Sequence, residues 1–140
     1  MKALGNAYEE VGFVSVKNHG VPHELIIELY KQLQQFFSFS LQQKKRYENY
    51  FLAGQRGYTS FGNEHAKGFE EPDLKEFYQY GQVRINNFNE EGYPLNISVK
   101  EILCFNEVFE QVYRSFENFG KSLLQAISLY LGLNEFYFDN

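Results

Sequence analysis

Apolar positions recur at spacings of three and four from the start of the chain. Ala3, Leu4, Ala7, Tyr8 and Val11 share one face of a helix predicted over 2–11, and Gly12 stops it. The pattern then becomes almost continuous. Phe13, Val14 and Val16 are strand formers in a short apolar run, which predicts a buried strand. Asn18-His19-Gly20 breaks that run, with Gly20 able to take the positive φ of a sharp reversal. Pro22 suits a first helical turn, where its missing N–H is no loss. From Pro22 to about Phe39 the helical period returns: Leu25, Ile26, Leu29, Leu33, Phe36 and Phe37 line one side, Glu24, Glu28, Lys31, Gln32 and Gln35 the other.

Ser40-x-x-Gln43 is a capping-box pattern that opens a short polar helix through Tyr47. Residues 48–72 read as a long loop punctuated by Gly54, Gly57, Gly62 and Gly68, and loops of this length are usually functional or mobile. Glu76–Tyr80 predicts a second strand carrying the rings of Phe77, Tyr78 and Tyr80, followed by loop over 81–96. A second capping box, Ser98-x-x-Glu101, opens the longest helix. Ile102, Phe105, Phe109, Val112, Phe116, Phe119, Leu123 and Ile127 step along it to an end near Gly132, and Asn134-Glu135 reads as the cap of a further helix that the chain does not complete. Such a stripe faces a core more often than a partner or a lipid. The fold class expected is α+β and mostly helical: a long amphipathic helix packed with shorter helices and a few short strands.

Composition sharpens this picture. With 15 Phe, 11 Tyr and no Trp, the core is expected to be built from rings. A net charge of -5 argues against a nucleic-acid partner, and Lys44-Lys45-Arg46 reads as a solvated helix face. Cys104, the lone cysteine, cannot close an internal disulfide, which favours a reducing compartment; it reads as packed and inert within the long helix. No apolar run is long enough to span a bilayer, and Asn6, Glu9 and Glu10 interrupt any leader-like segment. A cytoplasmic chain without membrane partners is the expectation.

The candidate chemistry is sparse. His19 reads as a brace of the turn, His23 as an exposed residue at a helix start and His65 as a solvent-facing loop residue. Glu70, Glu71, Asp73 and Glu76 fit no EF-hand spacing. Asp73 with Lys75 reads as a surface pair at the entry of the second strand, worth about 0–1 kcal/mol. No Gly-x-Ser-x-Gly elbow, phosphate loop or Cys-x-x-Cys pair occurs. Arg56 and Tyr58 stand out, because a guanidinium beside a phenol can fix a carboxylate; alternatively the arginine packs over the ring as a cation–π contact.

Several pieces occur in a telling order: Gly12-Phe13, Asn18-His19-Gly20-Val21-Pro22, Phe36-Phe37 followed by Lys44, Arg56-Gly57-Tyr58, Phe61-Gly62-x-Glu64, Ala66-Lys67-Gly68, Asp73-Leu74-Lys75-Glu76-Phe77 and Leu131-Gly132-Leu133. Together they resemble the N-terminal region of the iron(II)/2-oxoglutarate-dependent oxygenases related to isopenicillin N synthase, over nearly the whole chain. The resemblance implies a parent enzyme whose double-stranded β-helix holds iron with a His-x-Asp and a distant His, and 2-oxoglutarate with an Arg-x-Ser. The three histidines here are followed two places on by Val21, Leu25 and Lys67, and the four arginines by Glu48, Tyr58, Asn86 and Phe116. Neither ligand motif is present.

The expectation is therefore a single non-catalytic N-terminal domain over 1–140, truncated at both ends and lacking the complete double-stranded β-helix. No catalytic, cofactor or metal residue is expected in it; iron(II) and 2-oxoglutarate belong to the parent enzyme. The resemblance places Arg56 and Tyr58 at the substrate entrance and Asn18, His19 and Gly20 in a structural turn. The expected partners are the C-terminal barrel domain of the same protein and, through exposed apolar surface, a second copy. The alternative is a stand-alone helical interaction module that lost the catalytic half.

Overall fold

Ser40 organises the first local junction. In the computed structural model, which describes residues 2–65, 67–68, 70–83 and 93–139, its hydroxyl accepts from the Gln43 N–H while the Gln43 side chain reaches back to the Ser40 N–H. That reciprocal cap satisfies two orphan donors at once. It starts α3 (Leu41–Lys44), which tightens into a 3-10 turn over Lys45–Tyr47. Before it come α1 (Lys2–Glu10) and α2 (His23–Phe37); after it come a 3-10 turn over Tyr50–Leu52, strands β1 (Gly57–Thr59) and β2 (Phe77–Gln79), and α4 (Phe105–Tyr130). The chain forms two compact units, Met1–Ile26 with Val112–Asn140, and Ile27–Gln111.

The second unit is built around Phe36, which is fully buried. The rings of Tyr47, Tyr58, Tyr78 and Phe105 stand 5.0–6.0 Å from it, mostly edge-on. Each such pair adds about 0.5–1.5 kcal/mol beyond its buried area. Val99, Ile102 and Phe109 complete this core. β1 and β2 pair antiparallel in the register Gly57↔Gln79, Tyr58↔Tyr78 and Thr59↔Phe77. Two strands of three residues are too short to stand alone; the burial of Tyr58 and Tyr78 against Phe36 holds them. Gly57 has φ 76°, and a side chain there would run into the Tyr47 carbonyl and Ile97, so only glycine fits.

In the first unit α1 meets the end of α4 through an absence. Gly5 is the buried residue of α1, and the Tyr130 ring lies over its bare Cα. The Tyr130 hydroxyl donates to Glu9 at 2.8 Å. α4 ends in a Schellman turn, with the Leu133 N–H on the Ser128 carbonyl, the Gly132 N–H on that of Leu129, and Gly132 at φ 73°.

Several expectations need correction. Residues 13–16 are not a buried strand: Phe13 is 82 % exposed, and no strand among the described residues pairs with this segment. A strand needs a hydrogen-bonded neighbour, which propensity alone cannot supply. The strand partner of β2 lies instead inside the predicted loop. The Ser98–Glu101 capping box does not form, because Ser98 takes a bond from the Asn106 amide and Glu101 takes the Tyr47 hydroxyl. α4 consequently begins seven residues later than Ser98, after Cys104 at φ 58°. Cys104 is exposed and outside the helix, not packed within it. The α4 stripe is buried at Phe105, Phe109 and Val112, but Phe116 is exposed. Tyr8 and Val11 of the expected α1 face are exposed as well.

Asn134 caps as expected, its Oδ1 accepting from the Phe136 N–H at 2.9 Å, and the residues after it turn without completing a helix. The predicted loop over 81–96 falls partly outside the described residues (84–92), as does Ala66 of the Ala66-Lys67-Gly68 piece. Among the described residues, no helix is long and apolar enough to cross a membrane.

Candidate functional site

Lys44 ends α3 with its side chain turned inward, 9 % exposed, so the reading of it as part of a solvated basic face is wrong. Its Nζ donates to Glu76 Oε1 at 2.9 Å and Oε2 at 2.7 Å. The ammonium also lies over the rings of Phe37 and Tyr58, at 5.9 and 5.6 Å from their centroids. Glu76, immediately before β2, receives a third donor from β1: the Tyr58 hydroxyl at 2.5 Å from Oε2. Both strands and α3 are thus tied at one carboxylate.

The electrostatics follow from those contacts. Burial pushes the Glu76 carboxyl upward, but the hydrogen bonds from Lys44 and Tyr58 and the Lys44 charge outweigh it, so the pKa falls below its ordinary 4.5. The Tyr58 phenol moves up, first through burial and then through its bond to the Glu76 carboxylate. At neutral pH this arrangement holds Glu76 ionised and Tyr58 protonated, so neither group is poised for proton transfer. The cluster is a clamp.

Arg56 and Tyr58 do not form a joint carboxylate grip. Tyr58 is 1 % exposed and committed to Glu76, and its ring takes its cation from Lys44. Arg56 is half-buried: Nη1 donates to the Gln55 carbonyl at 2.6 Å, Nε is buried without a partner among the described residues, and the guanidinium covers Gly81. Asn96 fixes Gly81 in turn, with two amide–backbone bonds of 2.8 Å.

The Asn18-His19-Gly20 turn lies in the other unit. Asn18 has φ 58° and Gly20 φ 77°. The Val21 N–H donates to His19 Nδ1 at 3.2 Å, which leaves the ring proton of the neutral imidazole on Nε2. The ring stands edge-on to Phe119 at 5.9 Å, beside an open hollow of about 420 Å³ that Asn118 and Ser122 also line. His23 is exposed at the start of α2, and His65 Nδ1 bonds the Glu70 carbonyl.

The three histidines therefore serve separate places, and no group of three His, Cys, Asp or Glu side chains converges among the described residues. These residues do not fit the facial donor set that iron(II) needs.

Lys75 pairs with Asp73 at 3.0 Å, and also with Glu64 at 3.1 Å. Sequence reasoning missed the roles of Lys44 and Glu76. Signals existed for both. Glu76 shares the period-two face of Tyr78 and Tyr80, and Lys44 sits three residues before the buried Tyr47.

Residues 1–98 match the family described as "non-haem dioxygenase in morphine synthesis N-terminal". The chain is 28% identical over 144 aligned residues to the 1-aminocyclopropane-1-carboxylate oxidase of Dictyostelium mucoroides, covering 98% of this chain and 39% of that protein. It is 25% identical to a homoarginine-6-hydroxylase of Oryza sativa subsp. japonica, covering 94% of this chain and 41% of the relative. Among solved structures, a protein of the 2OG-Fe(II) oxygenase family from Caulobacter crescentus superposes with a TM-score of 0.86 at 29% identity, over 99% of this chain and 45% of that one. A full-length Neurospora crassa protein, solved in complex with alpha-KG, shares the fold at a TM-score of 0.74 and 22% identity, over 99% of this chain and 43% of its own. The chain spans about two-fifths of the length of the curated relatives.

Proposed function

Because this chain belongs to the non-haem dioxygenase N-terminal family, we propose that it is the scaffold and one wall of the substrate mouth of an iron(II)- and 2-oxoglutarate-dependent oxygenase. Iron and 2-oxoglutarate would be held by polypeptide outside these 140 residues. One observation carries the reading: 99% of the chain superposes on 45% of a 2OG-Fe(II) oxygenase family protein, with neither ligand motif in its sequence.

Within that role the Lys44–Glu76–Tyr58 clamp fixes the strand pair, and Arg56 supplies the mouth. Its guanidinium, with one hydrogen bond among the described residues, retains donors for a substrate carboxylate. Tyr58 backs the wall from inside. Phe13, Leu74 and Leu103, each more than four-fifths exposed, would be covered by the catalytic polypeptide, or by a second copy of this chain in its absence. The lone cysteine is in keeping with a reducing, cytoplasmic setting.

The test has two arms. Ferrous ion titrated into the 140-residue chain should show no stoichiometric uptake; tight one-to-one uptake would overturn the reading. The coding sequence beyond Asn140 should continue into alternating strands with His-x-Asp, a distal His and Arg-x-Ser. In that whole enzyme, Arg56→Ala should raise KM for a carboxylate substrate by roughly 10–100-fold, the loss of one charge-assisted hydrogen bond, with kcat largely kept. A stop codon after Asn140 would favour a stand-alone interaction module instead.

A further inference from the structure

Glu48 follows the Lys45–Tyr47 turn, and its carboxylate is held unevenly. Oε1 accepts from the Ser60 N–H at 3.1 Å, the Ser60 hydroxyl at 2.9 Å and Asn63 Nδ2 at 2.6 Å. Oε2 accepts, among the described residues, only from the Tyr50 hydroxyl, at 3.2 Å. Glu64 is similar: Oε2 pairs with Lys75, and Oε1 has no partner among the described residues. Both side chains line a cavity of about 190 Å³, walled also by Tyr50, Gly54, Thr59 and Asn63.

Thr59 supplies an independent observation. It is 5 % exposed, and its hydroxyl Oγ1 is buried without a hydrogen-bond partner among the described residues. The hydroxyl faces the space left by the missing side chain of Gly54: the point where a Cβ would stand lies 3.3 Å from Thr59 Oγ1 and 3.9 Å from Glu64 Oε1. Buried hydroxyls in folded proteins are ordinarily paired. Here an unpaired one and an unsatisfied carboxylate oxygen converge on one opening.

We propose that this cavity binds a primary ammonium group on a short alkyl chain, its three N–H donors going to Glu48 Oε2, Glu64 Oε1 and Thr59 Oγ1. The chemistry of the wall selects that class. Two carboxylates exclude an anion. An ammonium presents three donors and no acceptor, matching three acceptors, whereas calcium takes six to eight oxygens. The exposed Tyr50 ring adds an aromatic face of the kind cations favour. At about 30 Å³ per water, the volume admits the ammonium and a few carbons. Arg56 does not line this cavity, although Tyr58 does, and the proposal does not depend on the oxygenase reading.

The test titrates n-butylammonium into the 140-residue chain while amide and side-chain NMR shifts are followed. Saturable shifts confined to 48–64, at a Kd on the order of millimolar, are expected. Thr59→Val and Glu64→Gln should each weaken binding about tenfold or more, the cost of one lost hydrogen bond to a charged group. Tetramethylammonium, which has no N–H, should not compete. Absent or unsaturable shifts, binding indifferent to Glu64→Gln, equal competition by tetramethylammonium, or tighter binding of calcium would each overturn the proposal. Glu64 is partly exposed, so Glu64→Gln decides the matter even if Thr59→Val fails to fold.

Discussion

Lys44 Nζ sits 2.9 and 2.7 Å from the two carboxylate oxygens of Glu76, a residue 32 positions later in the chain. Both side chains are largely withdrawn from water, at 9% and 17% exposure. Removing one partner of such a pair strands the other charge, a far larger effect than losing a surface ion pair. Lys44→Ala should lower the unfolding free energy by about 3–5 kcal/mol, and Lys44→Met combined with Glu76→Gln by clearly less. Urea denaturation midpoints check both. A loss below about 1 kcal/mol for Lys44→Ala would match an exposed pair and contradict the clamp.

The same carboxylate gives a pH dependence of known sign. The Glu76 pKa is lowered in the folded chain relative to its ordinary 4.5. The unfolded state therefore binds the proton more readily, and the stabilisation is complete above about that ordinary value. It is lost as pH falls through the lower folded pKa. Glu76→Gln should flatten this part of the acid limb, measured as unfolding free energy against pH.

Gly5→Ala poses two opposed effects. Alanine in a helix interior is ordinarily favoured over glycine by roughly 0.5–1 kcal/mol. Here the added methyl would fall on the Tyr130 ring. Overpacking of this kind costs about 1–3 kcal/mol, so net destabilisation is expected. Hydrogen exchange should speed up most in α1. The double variant Gly5→Ala with Tyr130→Ala should recover protection relative to Gly5→Ala alone.

Cys104 should react with a maleimide in the folded protein, to one label per chain and without denaturant, since the side chain is exposed just before α4. Protection until the chain unfolds would restore the packed-helix expectation.

Phe13, Leu74 and Leu103 leave apolar surface open. If a second copy covers them, light scattering across micromolar concentrations should show mass rising with concentration, and Leu103→Lys should shift the equilibrium toward monomer. A constant monomer mass would count against self-association.

Much of the helical framework was legible in the chain. The three-and-four spacing of Leu25, Leu29, Leu33 and Phe36 marked α2, and Ser40 with Gln43 marked the next start. The same kind of signal misled at Ser98 and Glu101. There Asn106 and Tyr47 compete for the two side chains, and Tyr47 is 54 positions from Glu101. At the candidate site, Arg56 and Tyr58 were visible as residue types, but not that Tyr58 faces inward to Glu76 while Lys44 takes its ring.

By itself the amino-acid order determined α1 and α2, the α3 cap, the Gly132 stop and the lack of His-x-Asp and Arg-x-Ser. Those are matters of composition or of interactions spanning a few residues, where backbone geometry and side chain are read together. Only the tertiary structure decided that Gly57–Thr59 rather than 13–16 is a strand, that Lys44 is buried, and that Glu76 joins three elements. Each of these depends on a partner brought from far along the chain, and desolvation decides its energy only once that partner has arrived.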